Sequence, residues 1–398
     1  MNSRSSGGDR RGGFLRGVLI GLAAGVAISA GIAGLTSLLD DDPSLADQAR
    51  EVIEANYFRD VDPDALEASS VRGMVAELRQ RYSDRFSHYF GPKALEAENA
   101  EISGEFSGVG LTVSQVKRGL RVADVLPDTP AEAAGIERGD EIVAVDGESI
   151  AGRTSDISTT MIKGPPGTEV KLRVVPVGGG PPREVTVERA SVRVPAVDGR
   201  IVKVGRPGHQ RKVAYVHFAT FSEGAHGELR DEIERLYRRG AQGLVLDVRG
   251  NGGGLLNEAV LSASIFIEDG VIASTSTRTA GDDDYEAVGG AIEEKPMVVL
   301  TNRDTASAAE ILAAALQDHD LATLVGTRTY GKNTVQEDLD LPEGALHLTI
   351  GEYVTSDGQS LAGRGVQPDV EARDDPTTEP DEGLRGGLDQ MRSLLRGQ

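Results

Sequence analysis

The sequence predicts an α/β fold with an inserted β-rich domain, an N-terminal helical segment and one N-terminal transmembrane helix. From residue 194 onward, short apolar strands alternate with amphipathic helices, which is typical of a largely parallel sheet with both faces covered. Between residues 103 and 187, short β-branched strands are separated by turns, which indicates a separate β-rich domain. An uncharged apolar run over residues 17–39 completes the prediction.

Composition limits the classes of protein to which the chain can belong. With 398 residues it is long enough for about two to four domains. It contains no cysteine, which excludes thiolate catalysis, cysteine-based zinc sites and disulfide frameworks. The net charge of -21 argues against nucleic acid as a partner, because phosphate binding needs clustered lysine and arginine.

The apolar run over residues 17–39 is long enough to cross a bilayer as a helix of roughly 20 residues. Four arginines precede it and three aspartates follow it at residues 40–42. The positive-inside rule then places residues 1–16 in the cytoplasm and the rest outside it, in a periplasmic or extracellular location. A cleaved signal peptide is the alternative, although its apolar region is usually only about 7 to 15 residues long.

Helical periodicity continues after the apolar run and predicts an N-terminal helical domain over residues 43–100. Apolar residues recur in two stripes, which are Ala46, Ala49, Val52, Ile53 and Tyr57, and then Val71, Met74, Val75 and Leu78. Such stripes usually pack against a core. The alternative is association between subunits, so that a homodimer is also considered.

The α/β region is predicted over residues 194–373, since strands and helices alternate there. We expect strands at 213–218, 243–248, 271–274, 297–300 and 322–325, and helices at 225–239, 257–266 and 306–317. Residues 374–398 are expected to form an acidic, proline-containing linker and then a helix over residues 384–395.

A glycine-rich turn with the sequence NGGG, at residues 251–254, follows the buried strand at 243–248. Backbone N–H groups in such a turn can point at an anion, which suits an oxyanion hole. The turn lacks the Gly-Lys-Ser/Thr ending of a phosphate-binding loop and the acidic ribose partner of a dinucleotide site. The alternative is a purely structural turn, because glycine is first of all a turn residue.

Ser307 and Lys332 form the most informative pair in the chain. Ser307 lies in the sequence TASAAE at the start of an apolar helix, and Lys332 lies in the glycine-containing sequence GTRTYGKNTVQ. A serine hydroxyl attacks a carbonyl only if a neighbour takes its proton, and a lysine whose pKa is lowered by desolvation can do so. Taken singly, Ser307 reads as a helix cap, Lys332 as a solvated turn lysine and Gln336 as an ordinary strand residue.

These three motifs together resemble the carboxyl-terminal processing proteases, also called tail-specific proteases. The similarity extends from Leu45 onward, and four further segments carry it, namely FSGVGL at 106–111, PAEAAGI at 130–136, RGDEIVAVDG at 138–147 and GRGVQPD at 363–369. The resemblance implies a catalytic domain with the α/β spiral of the crotonase and Clp-protease class. It also implies that the β-rich segment, residues 103–190, is an inserted PDZ domain.

The resemblance assigns a role to each catalytic position. Ser307 would be the nucleophile, Lys332 the general base and later the general acid, and Gln336 the residue that orients the lysine. The N–H groups of Gly253 and Ala308 would form the oxyanion hole. Lys332 follows Ser307 by 25 positions and Gln336 follows Lys332 by 4, as in the family.

The glycine-rich turn departs from the family pattern at one position. The family usually has Asn-Pro-Gly-Gly where this chain has Asn251-Gly252-Gly253-Gly254. Because proline restricts the backbone and glycine frees it, we expect a less preorganised oxyanion hole. No hydrogen-bond donor is lost.

The PDZ resemblance implies how a substrate tail is held. A peptide would add a strand to the sheet edge, and its C-terminal carboxylate would bind the amides of the loop Gly108, Val109, Gly110 and Leu111. Apolar side chains at its end would enter a pocket lined by Leu111 and Val113, opposite the helix expected at 155–162. The alternative is that the two glycines only form a turn.

Lys163 follows that helix at a position where many relatives carry an arginine, which is proposed in the family to link peptide binding to protease activation. Lysine keeps the charge of arginine but lacks its bidentate fork. The sequence therefore leaves the coupling between the PDZ domain and the active site less well defined than the catalytic residues.

The expected function is that of a membrane-anchored serine endopeptidase outside the cytoplasm, acting on proteins with apolar C-terminal tails without a metal or organic cofactor. None of the six histidines has metal-ligand spacing. A Ser-His-Asp protease would need a serine in a Gly-x-Ser-Gly-Gly turn, and the turn at 252–254 has none. The alternative from another class is a PDZ protein that binds tails or small apolar ligands without cleaving them.

Overall fold

The computed structural model describes residues 44–63, 66, 71–373 and 381–397. The predicted cytoplasmic segment at 1–16, the predicted span at 17–39 and the start of the acidic linker at 374–380 lie outside these residues.

One part of the predicted fold class, the transmembrane helix at residues 17–39, has no counterpart among the described residues. Across the described ranges, no helix is long and apolar enough to cross a membrane. The longest of the described helices, Ala225–Arg238, has 14 residues, whereas a membrane-spanning helix needs roughly 20.

Among the described residues, the N-terminal part contains three helices and one short strand with defined bounds. They are α1 (Leu45–Asn56), α2 (Val71–Tyr82), β1 (His88–Phe90) and α3 (Pro92–Ser103). Helix α1 begins at a capping box, in which Ser44 Oγ accepts from the Asp47 N–H and the Asp47 carboxylate accepts from the Ser44 N–H.

The central part is the β-rich domain. Its elements are β2 (Glu105–Gly108), β3 (Leu111–Val116), β4 (Gly119–Val125), α4 (Pro130–Ala133), β5 (Glu141–Val145), β6 (Glu148–Ser149), α5 (Ser155–Ile162), β7 (Glu169–Val175), β8 (Arg183–Glu188) and β9 (Ala190–Arg193). An antiparallel sheet runs in the order β3-β4-β5-β7-β8, with β6 paired to β5, while β2 pairs with β9. Strand β3 therefore lies at a sheet edge.

The C-terminal part is the α/β region. Its elements are β10 (Val197–Val204), β11 (Arg211–Phe218), α6 (Ala225–Arg238), β12 (Leu244–Asp247), α7 (Leu256–Ala263), β13 (Val271–Thr277), β14 (Gly281–Glu286), β15 (Met297–Thr301), α8 (Ala308–Asp318), β16 (Thr323–Gly326), β17 (Thr334–Leu341), β18 (Gly344–Thr355), β19 (Val370–Glu371) and α9 (Glu382–Leu394).

The central sheet of this region runs in the order β10-β11-β12-β15-β16-β19. All its pairs are parallel except β10–β11. Every residue of β12 and β15 is buried, as expected for strands covered on both faces. Leu246 faces a core shared with α6, α7 and α8, whereas Val245 faces a second core that includes Met391 of α9. The largely parallel sheet is as predicted.

A second, antiparallel sheet was not anticipated. It runs in the order β1-β18-β13-β14, with β17 also paired to β18. The apolar stripes of α1 and α2 pack on the β17–β18 hairpin, where Ile53 and Leu78 share a core with Leu346 and Leu348. The predicted packing role of the stripes is confirmed, and the N-terminal helices cover the hairpin that follows Lys332.

Candidate active site

Three connections leave the carboxyl ends of adjacent parallel strands and meet at one edge of the central sheet. We name them the glycine turn (residues 251–254, after β12), the nucleophile turn (residues 302–307, after β15) and the lysine loop (residues 327–333, after β16). Loops at the carboxyl edge of parallel strands commonly build ligand sites.

One cavity of about 590 Å³ collects the predicted catalytic residues. Its lining includes Gly253, Ser307, Ala308, Lys332 and Gln336. The structure therefore brings together all five positions that the resemblance named, from three connections and the start of β17.

A larger cavity of about 1010 Å³ contains none of these five residues. Its lining includes Asp247 and Arg249, which form an ion pair at 2.7 Å, and Arg249 also pairs with Asp381 at 2.9 Å. We place the candidate active site in the smaller cavity, because a serine nucleophile and a half-buried amine both line it.

Ser307 has an unusual backbone conformation. Its φ of 56° and ψ of -123° lie outside the regions open to ordinary L-residues. Two hydrogen bonds fix the turn around it, from the Thr305 hydroxyl to the Val248 carbonyl at 2.9 Å and from the Ala306 N–H to the Asn251 carbonyl at 2.9 Å. Such strain persists only where surrounding structure enforces it, and it is typical of functional sites. A sharp strand-to-helix turn of this kind also exposes the nucleophile of serine hydrolases.

Lys332 lies in surroundings that favour the neutral amine. Burial lowers the pKa of Lys332, while the charges of Glu310 and Asp84 act in the opposite direction and raise it. The Nζ atom lies 4.8 Å from the centre of the Phe86 ring. Within the described residues it forms no hydrogen bond or ion pair.

The hydroxyl of Tyr353 connects the backbones of Ser307 and Lys332. It donates to the Lys332 carbonyl and lies 3.5 Å from the Ser307 carbonyl. No hydrogen bond joins the Ser307 hydroxyl to the Lys332 amine among the residues that the structure describes. The two side chains line the same cavity without being hydrogen-bonded to each other.

Gly253 packs directly against the start of α8. A Cβ atom at this position would lie 2.7 Å from Ser307 Cβ and 3.0 Å from the Ala308 nitrogen, and its φ is 107°. Glycine is therefore required here by both space and conformation. The Ala308 N–H, at the first position of α8, has no partner within the helix because it belongs to the first turn.

The predicted oxyanion-hole role of Gly253 stays a prediction, because its N–H has a partner within the chain. Its N–H donates to Asn251 Oδ1 at 2.9 Å, so this group is already satisfied within the glycine turn. Asn251 is fully buried, and its Nδ2 donates to the Phe218 carbonyl at 2.9 Å. These bonds hold the turn that lacks the family's proline.

Gln336 also has partners other than the predicted one. Its Nε2 donates to Thr334 Oγ1 at 2.8 Å and to Thr349 Oγ1 at 3.2 Å. Thr349 in turn donates to Asp84 Oδ1 at 3.2 Å. In the described part of the chain, no hydrogen bond connects Gln336 to Lys332, so its predicted orienting role stays a prediction.

Sequence reasoning missed two carboxylates of this site. Asp84 and Glu310 both act on the pKa of Lys332, and both are buried. Glu310 carried a signal, since an acid three positions after Ser307 in an apolar helix suits a capping box. Asp84 carried none, because only the folded chain brings it near Lys332.

The comparisons with known proteins agree with this geometry. The model of peptidase family S41 matches residues 212–372, and the model of the PDZ domain matches residues 98–175. The carboxy-terminal processing protease CtpA of Bacillus subtilis is 31% identical over 365 residues, which cover 89% of this chain and 76% of that protein. The chain belongs to peptidase family S41.

Two further relatives of this S41 peptidase are informative. The carboxy-terminal-processing protease of Bartonella bacilliformis is 32% identical over 357 residues, covering 87% of this chain and 79% of that protein. The structure of the photosystem II D1 C-terminal processing protease superposes with a TM-score of 0.54 at 28% identity, covering 87% of this chain and 96% of that one. The resemblance drawn from the sequence is confirmed.

The PDZ domain of the S41 peptidase has an open edge at β3. Leu111 and Val113 on this strand and Met161 on α5 are partly buried against the apolar core of the domain. The loop before β3 is fixed, since the carbonyls of Val109 and Gly110 accept from the N–H groups of Ala131 and Leu126 respectively.

Gly110 and Gly108 are both closely packed. A Cβ atom on Gly110, whose φ is 87°, would lie 2.3 Å from Thr129, and one on Gly108 would lie 2.9 Å from the Phe106 ring. Gly108 is the last residue of β2, and Gly110, with its positive φ, directly precedes β3. Binding of a carboxylate by this loop stays a prediction.

Lys163 lies at the end of α5, with its Nζ 6.0 Å from the centre of the Phe106 ring. It does not line the cavity that holds Ser307. Arg189 instead caps α5, because its guanidinium donates to the carbonyls of Ile162 at 2.8 Å and Met161 at 3.3 Å. No sequence motif singles out Arg189, and coupling through Lys163 stays a prediction.

In the part of the chain that the structure describes, no group of three or more His, Cys, Asp or Glu residues could hold a metal ion.

Proposed function

We propose that this S41 peptidase is a serine endopeptidase that captures C-terminal tails through its PDZ domain and cleaves upstream of them with a Ser307–Lys332 dyad. The observation that carries this proposal is the strained backbone of Ser307 in the same cavity as a half-buried lysine. Both residues line one cavity, and burial lowers the pKa of Lys332.

The proposed reaction begins with proton transfer. Neutral Lys332 accepts the proton of the Ser307 hydroxyl as Oγ attacks the peptide carbonyl. The negative charge that develops on the carbonyl oxygen is stabilised by the Ala308 N–H. The Gly253 N–H joins it once Asn251 releases it.

The second half of the reaction reverses the proton path. Lys332 returns the proton to the leaving amine, and the carbon–nitrogen bond breaks to give an acyl-enzyme on Ser307. Water then attacks the ester with Lys332 again acting as base, which releases the new C-terminus and regenerates the hydroxyl.

Tail capture rests on the open edge of β3. A peptide can pair with this strand and place apolar side chains against Leu111, Val113 and Met161, which are partly buried around the core of the domain. The names of the relatives, which are carboxy-terminal processing proteases, support substrates of this kind.

The test is cleavage of an unfolded protein with an apolar C-terminal tail by the full chain and by Ser307→Ala. We expect fragments from the wild type only, together with labelling of Ser307 by a fluorophosphonate. Equal cleavage by both proteins would exclude Ser307 as the nucleophile.

A tail-binding protein that does not cleave is the second candidate. It is favoured by the satisfied Gly253 N–H, which donates to Asn251 rather than to a bound group. The same assay separates the two, because a binding protein would retain the tailed substrate in a pull-down without producing fragments.

The location outside the cytoplasm stays a prediction from the charge pattern of residues 1–42. Digestion of intact cells or spheroplasts with an added protease would test it, since only a body outside the cytoplasm is degraded. Light scattering of the purified chain tests the alternative of a homodimer.

A further inference from the structure

Glu310 is a carboxylate at the junction of two loops of the candidate active site. It lies on α8 and is 0% exposed. Its Oε2 accepts from the N–H groups of Ser307 and Lys332, both at 3.0 Å. Its Oε1 accepts from the Gly331 N–H at 2.7 Å and from the Thr329 hydroxyl.

These four donors indicate the protonation state of the Glu310 carboxyl group. An ionised carboxylate accepts about four hydrogen bonds and donates none, which matches the surroundings of Glu310. Burial raises the pKa of Glu310, while the Thr329 hydroxyl and the N–H groups of Gly331, Lys332 and Ser307 lower it. Buried charge is tolerated only when it is paired or hydrogen-bonded in this way.

Helix capping explains only one of the four bonds. In a capping box, a Glu at the third helical position reaches back to the N–H of the cap residue, and Glu310 does this to Ser307. The other three donors belong to the lysine loop. Such bonds do nothing for the start of a helix, but they fix where the loop lies relative to Ser307.

We propose that Glu310 is a positioning residue that holds the nucleophile turn and the lysine loop at a fixed separation through its single buried carboxylate. This inference rests on the proposed function, since it assigns a role in bringing Ser307 and Lys332 together. Displacing a reacting group by about 1 Å can reduce a rate by about 100-fold.

The charge of Glu310 adds an effect that capping alone would not produce. It raises the pKa of Lys332, against the effect of burial. The other titratable groups around this amine are Asp84, His88 and Tyr353, with Glu98, Asp338 and His347 on the same cavity. Because the neutral amine is the base, loss of the Glu310 charge moves the acid limb of activity to lower pH.

The first test is Glu310→Gln, which keeps the shape but replaces one acceptor oxygen by an NH₂ group. At least one backbone N–H then loses its partner. We expect kcat to fall by about 100-fold with KM for a tailed substrate unchanged, and the acid limb of the kcat profile to move to lower pH. A profile that overlays the wild type, with activity reduced only in proportion to the folded fraction, would overturn the inference.

Glu310→Asp separates position from charge. The shorter side chain keeps the negative charge but cannot reach both loops, so we expect a lower kcat with an acid limb that does not move. Wild-type activity in the Asp variant would overturn the inference, and so would a limb shifted as in the Gln variant. The Asp variant also keeps the inference falsifiable if the Gln variant does not fold.

Glu258→Gln is the matched control. Glu258 is also buried, at 6% exposure, and its carboxylate accepts from the N–H groups of Gly224 at 2.8 Å and His226 at 2.9 Å. It does not line the cavity of Ser307. We expect lower thermal stability and an unchanged pH profile, and a shifted profile here would overturn the inference.

The wild type distinguishes the two proposals. If the full chain neither cleaves a tailed substrate nor reacts with a fluorophosphonate at Ser307, the proposed function fails. If the wild type is active and Glu310→Gln matches it, only the positioning role fails.

Discussion

The nucleophile turn and the lysine loop are built in different ways. Ser307 takes its geometry from its own strand, turn and helix and from two hydrogen bonds to Val248 and Asn251 in the same α/β region. Lys332 takes its surroundings from distant parts of the chain, with Phe86 and Asp84 before β1 and Tyr353 on β18. The nucleophile therefore depends on the α/β region alone, whereas the pKa of the amine also depends on the N-terminal part of the chain.

Lys332→Arg has the largest expected effect, because it removes the base and leaves the nucleophile in place. A guanidinium keeps the positive charge but cannot lose its proton near neutral pH, so the base disappears while the nucleophile turn is untouched. We expect kcat to fall by about 1,000-fold, measured as cleavage of an unfolded, tailed protein. Lys203→Arg, an exposed change on β10, serves as control, and a Lys332→Arg enzyme with a tenth of wild-type activity would contradict the assignment.

Gly253→Ala attacks the nucleophile side instead. The added Cβ would lie 2.7 Å from Ser307 Cβ, at a φ of 107°. We expect a fall of about 100-fold in kcat, comparable to the loss of an oxyanion-hole donor. At Gly252 a Cβ would meet nothing within 4 Å, so Gly252→Ala should remain close to wild type; equal activity of the two variants would refute the role of Gly253.

Val113→Glu tests whether tail binding is separate from both loops. Val113 is partly buried against the apolar core of the PDZ domain, whereas Thr112 on the same strand is exposed. A charge at Val113 should raise KM for apolar tails about tenfold, as expected for a loss of about 1.4 kcal/mol, and leave kcat unchanged. Thr112→Glu is the control on the opposite face of the strand. A similar KM for both variants would argue against binding of the tail at the Val113 face of β3.

Asp84→Asn sharpens the comparison with the smallest expected effect. The Asp84 charge raises the pKa of Lys332, so its removal lowers that pKa and moves the acid limb of the kcat profile to lower pH. In the wild type the Phe86 N–H donates to Asp84 Oδ1 at 2.9 Å. The amide oxygen of the variant can still accept this hydrogen bond. Asp282→Asn, on the exposed strand β14, is the control and should not change the acid limb of the kcat profile. An acid limb that moves to higher pH in Asp84→Asn would contradict the assigned effect of Asp84 on the pKa of Lys332.

The same contrast explains what could be predicted from the sequence. The strand Leu244–Asp247 is uniformly apolar up to its last residue, so its burial in a parallel sheet was readable. The hairpin β17–β18 was not, because exposed acids such as Glu337 and Asp340 obscure its alternation. Ser307 and Lys332 were found through their motifs.

The hydrogen-bond partners of Gly253 and Gln336 could not be predicted from the sequence, for a physical reason. The bond of the Gly253 N–H to Asn251 depends on a side-chain rotamer, and no motif specifies one. Gln336 turns toward Thr349 on the paired strand β18, and this partner is decided by strand register rather than by spacing along the chain.

The packing of α1 and α2 on the β17–β18 hairpin has a consequence for the smallest active piece of this peptidase. An excised fragment spanning only residues 194–373 would retain Ser307 and Lys332, yet it would lose Asp84 and Phe86 and uncover Leu346 and Leu348. Its amine would be returned to water and would stay protonated. Residues 194–373 alone would therefore not be proteolytic. Fusing them to another protein would transfer the nucleophile Ser307 without a neutral Lys332 to act as its base.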